Sequence, residues 1–221
     1  MGKLSWSREK VASRKSVKVV LFSLTILCTA GISGFAYVHF FTKGLENLPS
    51  RVCDGTVERD LVIQVLPPAR SADQWTDRQN SRADLTYYCH VTTTNNSSLL
   101  SETRVRPISK ADWLKSYSKN GGTNKIIHTT ADDIEALTQL NSDYVEVYAP
   151  CSPPSIPSYN ASEDYAVLTR LWVDGDTKAT GTPLGQALTD IAYQVTKHVH
   201  KLAECQGAHD FPQELPRYGD R

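Results

Sequence analysis

The stretch TPLGQALTDIAYQVTKHVHKLAEC, residues 182–205, sets the fold class. Leu184, Leu188, Ile191, Val195, Val199 and Leu202 recur at the spacing of one helix face, with polar residues between them. Thr182 stands where an N-cap belongs. Pro183 takes the first helical position, where a missing N–H leaves nothing unpaired. The pattern predicts an amphipathic helix of about 22 residues. Its apolar stripe needs a partner surface, and the segments before it supply one.

Those segments read mainly as strands. Residues 165–173 (YAVLTRLWV) and 144–149 (YVEVYA) are rich in β-branched and aromatic residues. In 85–93 (LTYYCHVTT), Leu85, Tyr87, Cys89 and Val91 alternate with Thr86, Tyr88, His90 and Thr92. The turn Asn95–Asn96–Ser97 leads to a partner strand at 99–105. Shorter helices are expected at three places. One ends near Leu66, capped by Thr56 or Asp54 and stopped by Pro67 and Pro68. One starts at Ser109 and carries Trp113, Leu114 and Tyr117. One starts at Thr130, with Asp133 as capping-box partner and Ile134, Leu137 and Leu140 on one face. Residues 69–82 read as polar and turn-like. The fold class expected is α+β: an N-terminal transmembrane helix, then one small mixed α/β ectodomain with two disulfides.

The transmembrane helix is residues 19–42, VVLFSLTILCTAGISGFAYVHFFT, which contain no Asp, Glu, Lys or Arg. That length spans a bilayer. The run exceeds the apolar core of a signal peptide and ends in bulky residues where a peptidase needs small ones. Lys3, Arg8, Lys10, Arg14, Lys15 and Lys18 face one acid, Glu9, in residues 1–18. That excess places the N-terminus in the cytoplasm and the domain outside. The expected organisation is a basic tail (1–18), the span (19–42), a juxtamembrane linker (43–52), the domain (53–206) and a polar C-terminal tail (207–221). Ala30 and Gly34 form a small-xxx-small pair through which two such helices could meet as a homodimer.

Of five cysteines, Cys28 lies in the apolar run. Cys53, Cys89, Cys151 and Cys205 lie beyond it, an even number in the oxidising compartment that this topology implies, and so read as two bridges. Cys53–Cys89 and Cys151–Cys205 are favoured, because each closes one half of the domain. Each loop closure is worth roughly 3–4 kcal/mol in the chain-entropy picture. No C-x-x-C spacing points to zinc.

Lys plus Arg and Asp plus Glu both number 24 over 221 residues. Because the first 43 residues are basic, the remainder carries a net −6, which disfavours a duplex nucleic-acid partner. No catalytic constellation stands out. Ser116-x-x-Lys119 matches a serine–lysine pattern without its companion elements. His200 and Glu204 are one helical turn apart without a third metal ligand. Asp132–Asp133, Glu163–Asp164 and Asp174/Asp176 read as turn and helix-start acids. No cofactor is implied. The aromatic residues Trp75, Tyr88, Trp113, Tyr148 and Tyr159 are the candidate interaction residues. Asn95, Asn96 and Asn160 open N-x-[ST] sequons and mark surface turns.

At Cys53-Asp-Gly, Arg59-Asp-Leu-Val and Tyr88-Cys89-His90-Val91 the chain resembles small membrane-anchored or exported proteins of unknown function from Streptomyces-type actinobacteria. The likeness covers the anchor and about the first 50 exported residues. It implies an envelope location and no assigned activity. The combined expectation is a single-pass plasma-membrane protein whose partners are the bilayer and an envelope protein. The alternative is a tethered enzyme or ligand-binding protein acting on wall or extracellular substrates.

Overall fold

The computed structural model describes residues 37, 43–81, 84–120, 125–140, 142–154, 163–206 and 211–219. The chain divides into two units, Met1–Thr42 and Lys43–Arg221. Apart from Tyr37, the expected membrane span and the Ala30/Gly34 pair lie outside the described residues. Among the described residues no helix is long and apolar enough to cross a membrane.

The second unit is α+β and dominated by one sheet. Its strands are β3 (Ala72–Ser81), β4 (Asp84–Thr93), β5 (Ser98–Pro107), β6 (Ile126–Ala131), β7 (Ile134–Gln139), β8 (Tyr144–Pro150) and β9 (Tyr165–Asp174). They run in the order β3-β4-β5-β9-β8-β7-β6, every neighbouring pair antiparallel. Two meanders, β3–β5 and β6–β9, therefore meet where β5 pairs with β9 over ten residues. The helix α2 (Lys110–Asn120) joins them. A short ribbon of β1 (Arg51–Val52) and β2 (Val57–Glu58) precedes α1 (Arg59–Val65). The long helix α3 (Gly181–Leu202) closes the fold.

The apolar stripe of α3 meets one sheet face. Leu184, Leu188, Ile191, Val195 and Val199 are buried against Leu171 of β9, Val145 and Val147 of β8 and Ala136 of β7. Val62 and Val65 of α1 and Val52 and Val57 of the ribbon extend this core over β4. Three hydroxyls cross it. Thr103 (β5), Thr169 (β9) and Thr196 (α3) are linked at 3.0 and 2.7 Å, ending on the Ala192 carbonyl at 2.8 Å. Buried hydroxyls so linked avoid the desolvation cost of an unpaired group. Both bridges form as expected: Cys53–Cys89 ties the ribbon's turn to β4, and Cys151–Cys205 ties the end of β8 to the end of α3.

Several expectations are corrected. The helix expected from Thr130 is the β6–β7 hairpin. Asp132 takes a left-handed conformation (φ 53°) in the two-residue loop, which a short polar side chain tolerates. Residues 72–81, read as turn-like, form the edge strand β3. The helix at 181–202 starts one residue before the expected cap, after Thr180. The expected linker 43–52 is part of the fold: Leu45 and Leu48 are buried, and the Gly44 N–H donates to the Ala69 carbonyl at 2.8 Å. Gly44 is required there, since a Cβ would lie 2.5 Å from the Ser71 backbone. The described part of the expected tail, 211–219, also packs on α3. Leu215 is buried, Tyr193 donates from its hydroxyl to the Pro212 carbonyl at 2.5 Å, and Arg217 pairs with Asp190 at 2.6 Å.

This strap contributes to stability. Leu215→Ala should lower the unfolding free energy by about 2–5 kcal/mol in denaturant titration, the range for truncating a buried leucine. A solvated tail would leave it unchanged. Removing Cys151–Cys205 by paired Ala substitutions should cost about 4 kcal/mol in the same measurement.

Candidate functional site

Among the described residues, the second face of the sheet is covered over only half its width. Side chains from β3, β4, β5, β9, β8 and β7 align on it in rows set by the register. One row reads Trp75, His90, Leu100, Trp172, Tyr144, Gln139. The next reads Asp77, Tyr88, Glu102, Arg170, Glu146, Leu137.

Helix α2 lies over the β7–β9 half. Its start is capped as expected: the Asp112 N–H donates to Ser109 Oγ at 3.1 Å, and that hydroxyl donates to the Asp112 carboxylate at 2.7 Å. Trp113 and Tyr117 are buried against Leu137, Tyr148, Ala166 and Leu168. Trp113 stacks on Tyr148 at 5.2 Å between ring centroids. Two candidate interaction aromatics, Trp113 and Tyr148, are therefore core residues, 0 % and 3 % exposed. Tyr159 lies outside the described residues.

Among the described residues no helix covers the β3–β5 half. Trp75 is 53 % exposed there, the largest exposed ring of the described domain. It lies 5.0 Å from the His90 ring and 6.5 Å from Tyr88. Trp75 and Tyr88, both candidates from the sequence, thus come together. His90, Trp172, Tyr144, Glu102, Glu146 and Arg170 join them without having been singled out. A signal was present: Arg170 is the one charged residue in 165–173, in phase with Trp172 and out of phase with the core residues Leu171 and Thr169.

Where the open half meets α2, a recess of about 630 Å³ is lined by Glu102, Tyr117, Tyr144, Glu146, Arg170 and Trp172. Glu146 lies beneath it, 7 % exposed at its side chain. Three donors hold this carboxylate: Trp113 Nε1 at 2.7 Å, Arg170 Nε at 2.9 Å and the Tyr144 hydroxyl. Burial, reinforced by the adjacent Glu146 charge, raises the Tyr144 pKa well above the usual phenol value, so it remains a donor. Burial does the same to Tyr117, whose hydroxyl donates to the Leu137 carbonyl at 3.1 Å. Glu102 accepts from Arg104 Nε at 2.8 Å and from the Tyr88 hydroxyl at 3.4 Å. Ser116 donates to the Trp113 carbonyl at 2.8 Å, so its hydroxyl is engaged within its own helix. His200 is likewise packed inward, its Nε2 3.2 Å from the Pro150 carbonyl oxygen. Asn95 and Asn96 occupy the exposed β4–β5 turn, and Asn160 lies outside the described residues.

The arrangement can bind. It offers a flat aromatic shelf, a fixed guanidinium and two carboxylates, features of interaction surfaces. No protein-family model, no curated protein and no solved structure matches the chain.

Two checks follow from burial. Trp75→Ala should leave unfolding free energy within about 0.5 kcal/mol, whereas Trp113→Ala should cost about 3–5 kcal/mol. Equal losses would mean that Trp75 is not open to solvent. Burial also lowers the pKa of His90 and, together with Lys201 and Arg78 but against Asp54, that of His198. Each unfolded histidine takes its proton near 6.5, above the folded value. Their contribution is therefore present above that pH and is lost as pH falls through the folded value. Urea titrations at two pH values, about 7.5 and 5.5, bracketing the ordinary histidine pKa, should show this loss. The His90→Gln/His198→Gln pair should reduce it.

Proposed function

We propose that the chain is a membrane-anchored, extracytoplasmic interaction protein of the cell envelope, and that the open β3–β5 face docks a protein partner. The observation that carries this is Trp75, 53 % exposed beside His90 and Tyr88 and in register with Leu100 and Trp172. Exposed aromatics clustered on a flat, preformed surface are the usual anchors of protein interfaces. The rest of the reading draws on the sequence. Residues 19–42 have the length and composition of a span, and the basic residues before it favour an outward-facing domain. Two disulfides suit an oxidising compartment. The resemblance to exported actinobacterial proteins supports the envelope location. A second reading, binding of a wall or extracellular ligand, is favoured only by the recess beside Arg170.

In-cell crosslinking with the native anchor, followed by mass spectrometry, tests the first reading. One reproducible envelope partner should be recovered with the unaltered protein and lost with Trp75→Ala/Tyr88→Ala at equal protein level. Truncating two anchor aromatics should weaken the complex at least about 30-fold, the equivalent of 2 kcal/mol. An identical partner profile from the double variant would contradict the docking face.

A further inference from the structure

We propose that the open face recognises the free C-terminal carboxylate of an extended peptide segment, gripped by Arg170. This rests on the reading of that face as the docking surface and adds the chemistry of the occupant.

Arg170 sits near the middle of the sheet with its side chain 42 % exposed, so a ligand from solvent can reach it. Glu146 fixes the guanidinium through Nε alone, and Trp113 and Tyr144 fix Glu146 in turn. The terminal Nη groups meet no acceptor among the described residues. An oriented guanidinium with a free fork is the geometry that takes a carboxylate through two parallel hydrogen bonds. The ordering entropy of the arginine is already met in the free protein, which favours binding.

The register makes the free fork informative. Glu102 stands directly opposite Arg170 on the neighbouring strand, where opposite charges usually pair. Instead Glu102 bonds Arg104 and accepts from Tyr88. The cross-strand ion pair is not made, and among the described residues no acceptor takes the Arg170 Nη groups.

The surroundings select the ligand. Arg170 is paired with Glu146 and Arg104 with Glu102, so the cluster is formally neutral and a bound carboxylate adds one negative charge where a phosphate dianion would add two. That suits a monoanion and disfavours a phosphate dianion. Trp172, Leu100, His90 and Trp75 form the shelf leading away from Arg170. At about 4.8 Å per strand, Trp172 to Trp75 spans about 14 Å, the length of about four extended residues. Asp77 lies at the far end of the Arg170 row, placed to meet a cation on the segment. The occupant is therefore a peptide with apolar last residues and a Lys or Arg about three positions before its free carboxylate.

The test uses the full chain in lipid nanodiscs and an array of hexapeptides, each ending in two apolar residues with Lys or Arg upstream, as free acids and as C-terminal amides. Free acids should bind, and amidation should weaken them at least tenfold. Arg170→Gln should abolish the difference between acid and amide. Arg170→Lys, which keeps the charge, should restore part of it. Trp75→Ala should weaken both forms. Binding lost with Trp75→Ala but indifferent to amidation and to Arg170→Gln would overturn the carboxylate grip and leave the docking face standing. No peptide binding at all would overturn the proposed occupant, while the crosslinking result would still decide the face. The amidation comparison needs no variant, so a poorly folded Arg170→Gln would not spare the proposal.

Discussion

Burial of the α3 stripe constrains everything else in this domain. Five large apolar side chains on one helix must leave water, and a sheet with one apolar face is what receives them. The order β3-β4-β5-β9-β8-β7-β6 brings β8 and β9, from the second meander, under the helix. Both disulfides then fasten material around that core. Cys53–Cys89 holds the β1–β2 ribbon against β4, and Cys151–Cys205 holds the end of α3 against the end of β8. The threonine chain from Thr103 through Thr169 to Thr196 fixes helix and sheet in one register, because a slip would orphan buried hydroxyls.

With one face committed to α3, the character of the other depends on how far α2 reaches. The helix is 11 residues long and its apolar residues meet β7, β8 and β9. Trp113 and Tyr148 complete that packing. Glu146 sits at the boundary, joined to α2 through Trp113 and to Arg170 of β9, the strand that adjoins the open half. A single buried carboxylate thus fixes α2 to the strand that borders the uncovered half. Such networks hold a fixed geometry only when every member is satisfied, and Glu146 has three donors.

Much of this was legible in the sequence. The α3 periodicity, the Ser109 cap, the strands at 85–93, 99–105, 144–149 and 165–173 and both cysteine pairs all correspond to the observed elements. What was not legible has physical causes. β7 is covered on both faces, so its apolar residues do not alternate, and Ile134, Leu137 and Leu140 mimic helical spacing. β3 is an edge strand facing solvent, so Trp75 and its polar neighbours gave no hydrophobic rhythm. Segments 43–52 and 211–219 pack through isolated residues, Leu45, Leu48 and Leu215, too few to form a pattern. For the site, aromatic composition found Trp75 and Tyr88. It could not separate them from Trp113 and Tyr148, because only tertiary packing tells a buried ring from an exposed one. The cluster of Glu102, Glu146 and Arg170 depends on the pairing of β5, β9 and β8, which local sequence does not encode.

Hydroxyl-radical footprinting of the same protein, purified and in intact cells, tests the central claim most directly. In the purified protein Trp75 and Tyr88 should be oxidised readily while Trp113 and Tyr148 resist. In cells Trp75 and Tyr88 should become protected while other exposed residues, such as Ile126 on the far edge strand, keep their reactivity. Equal oxidation of Trp75 in both settings, or its protection already in the purified protein, would contradict an open face that a partner covers.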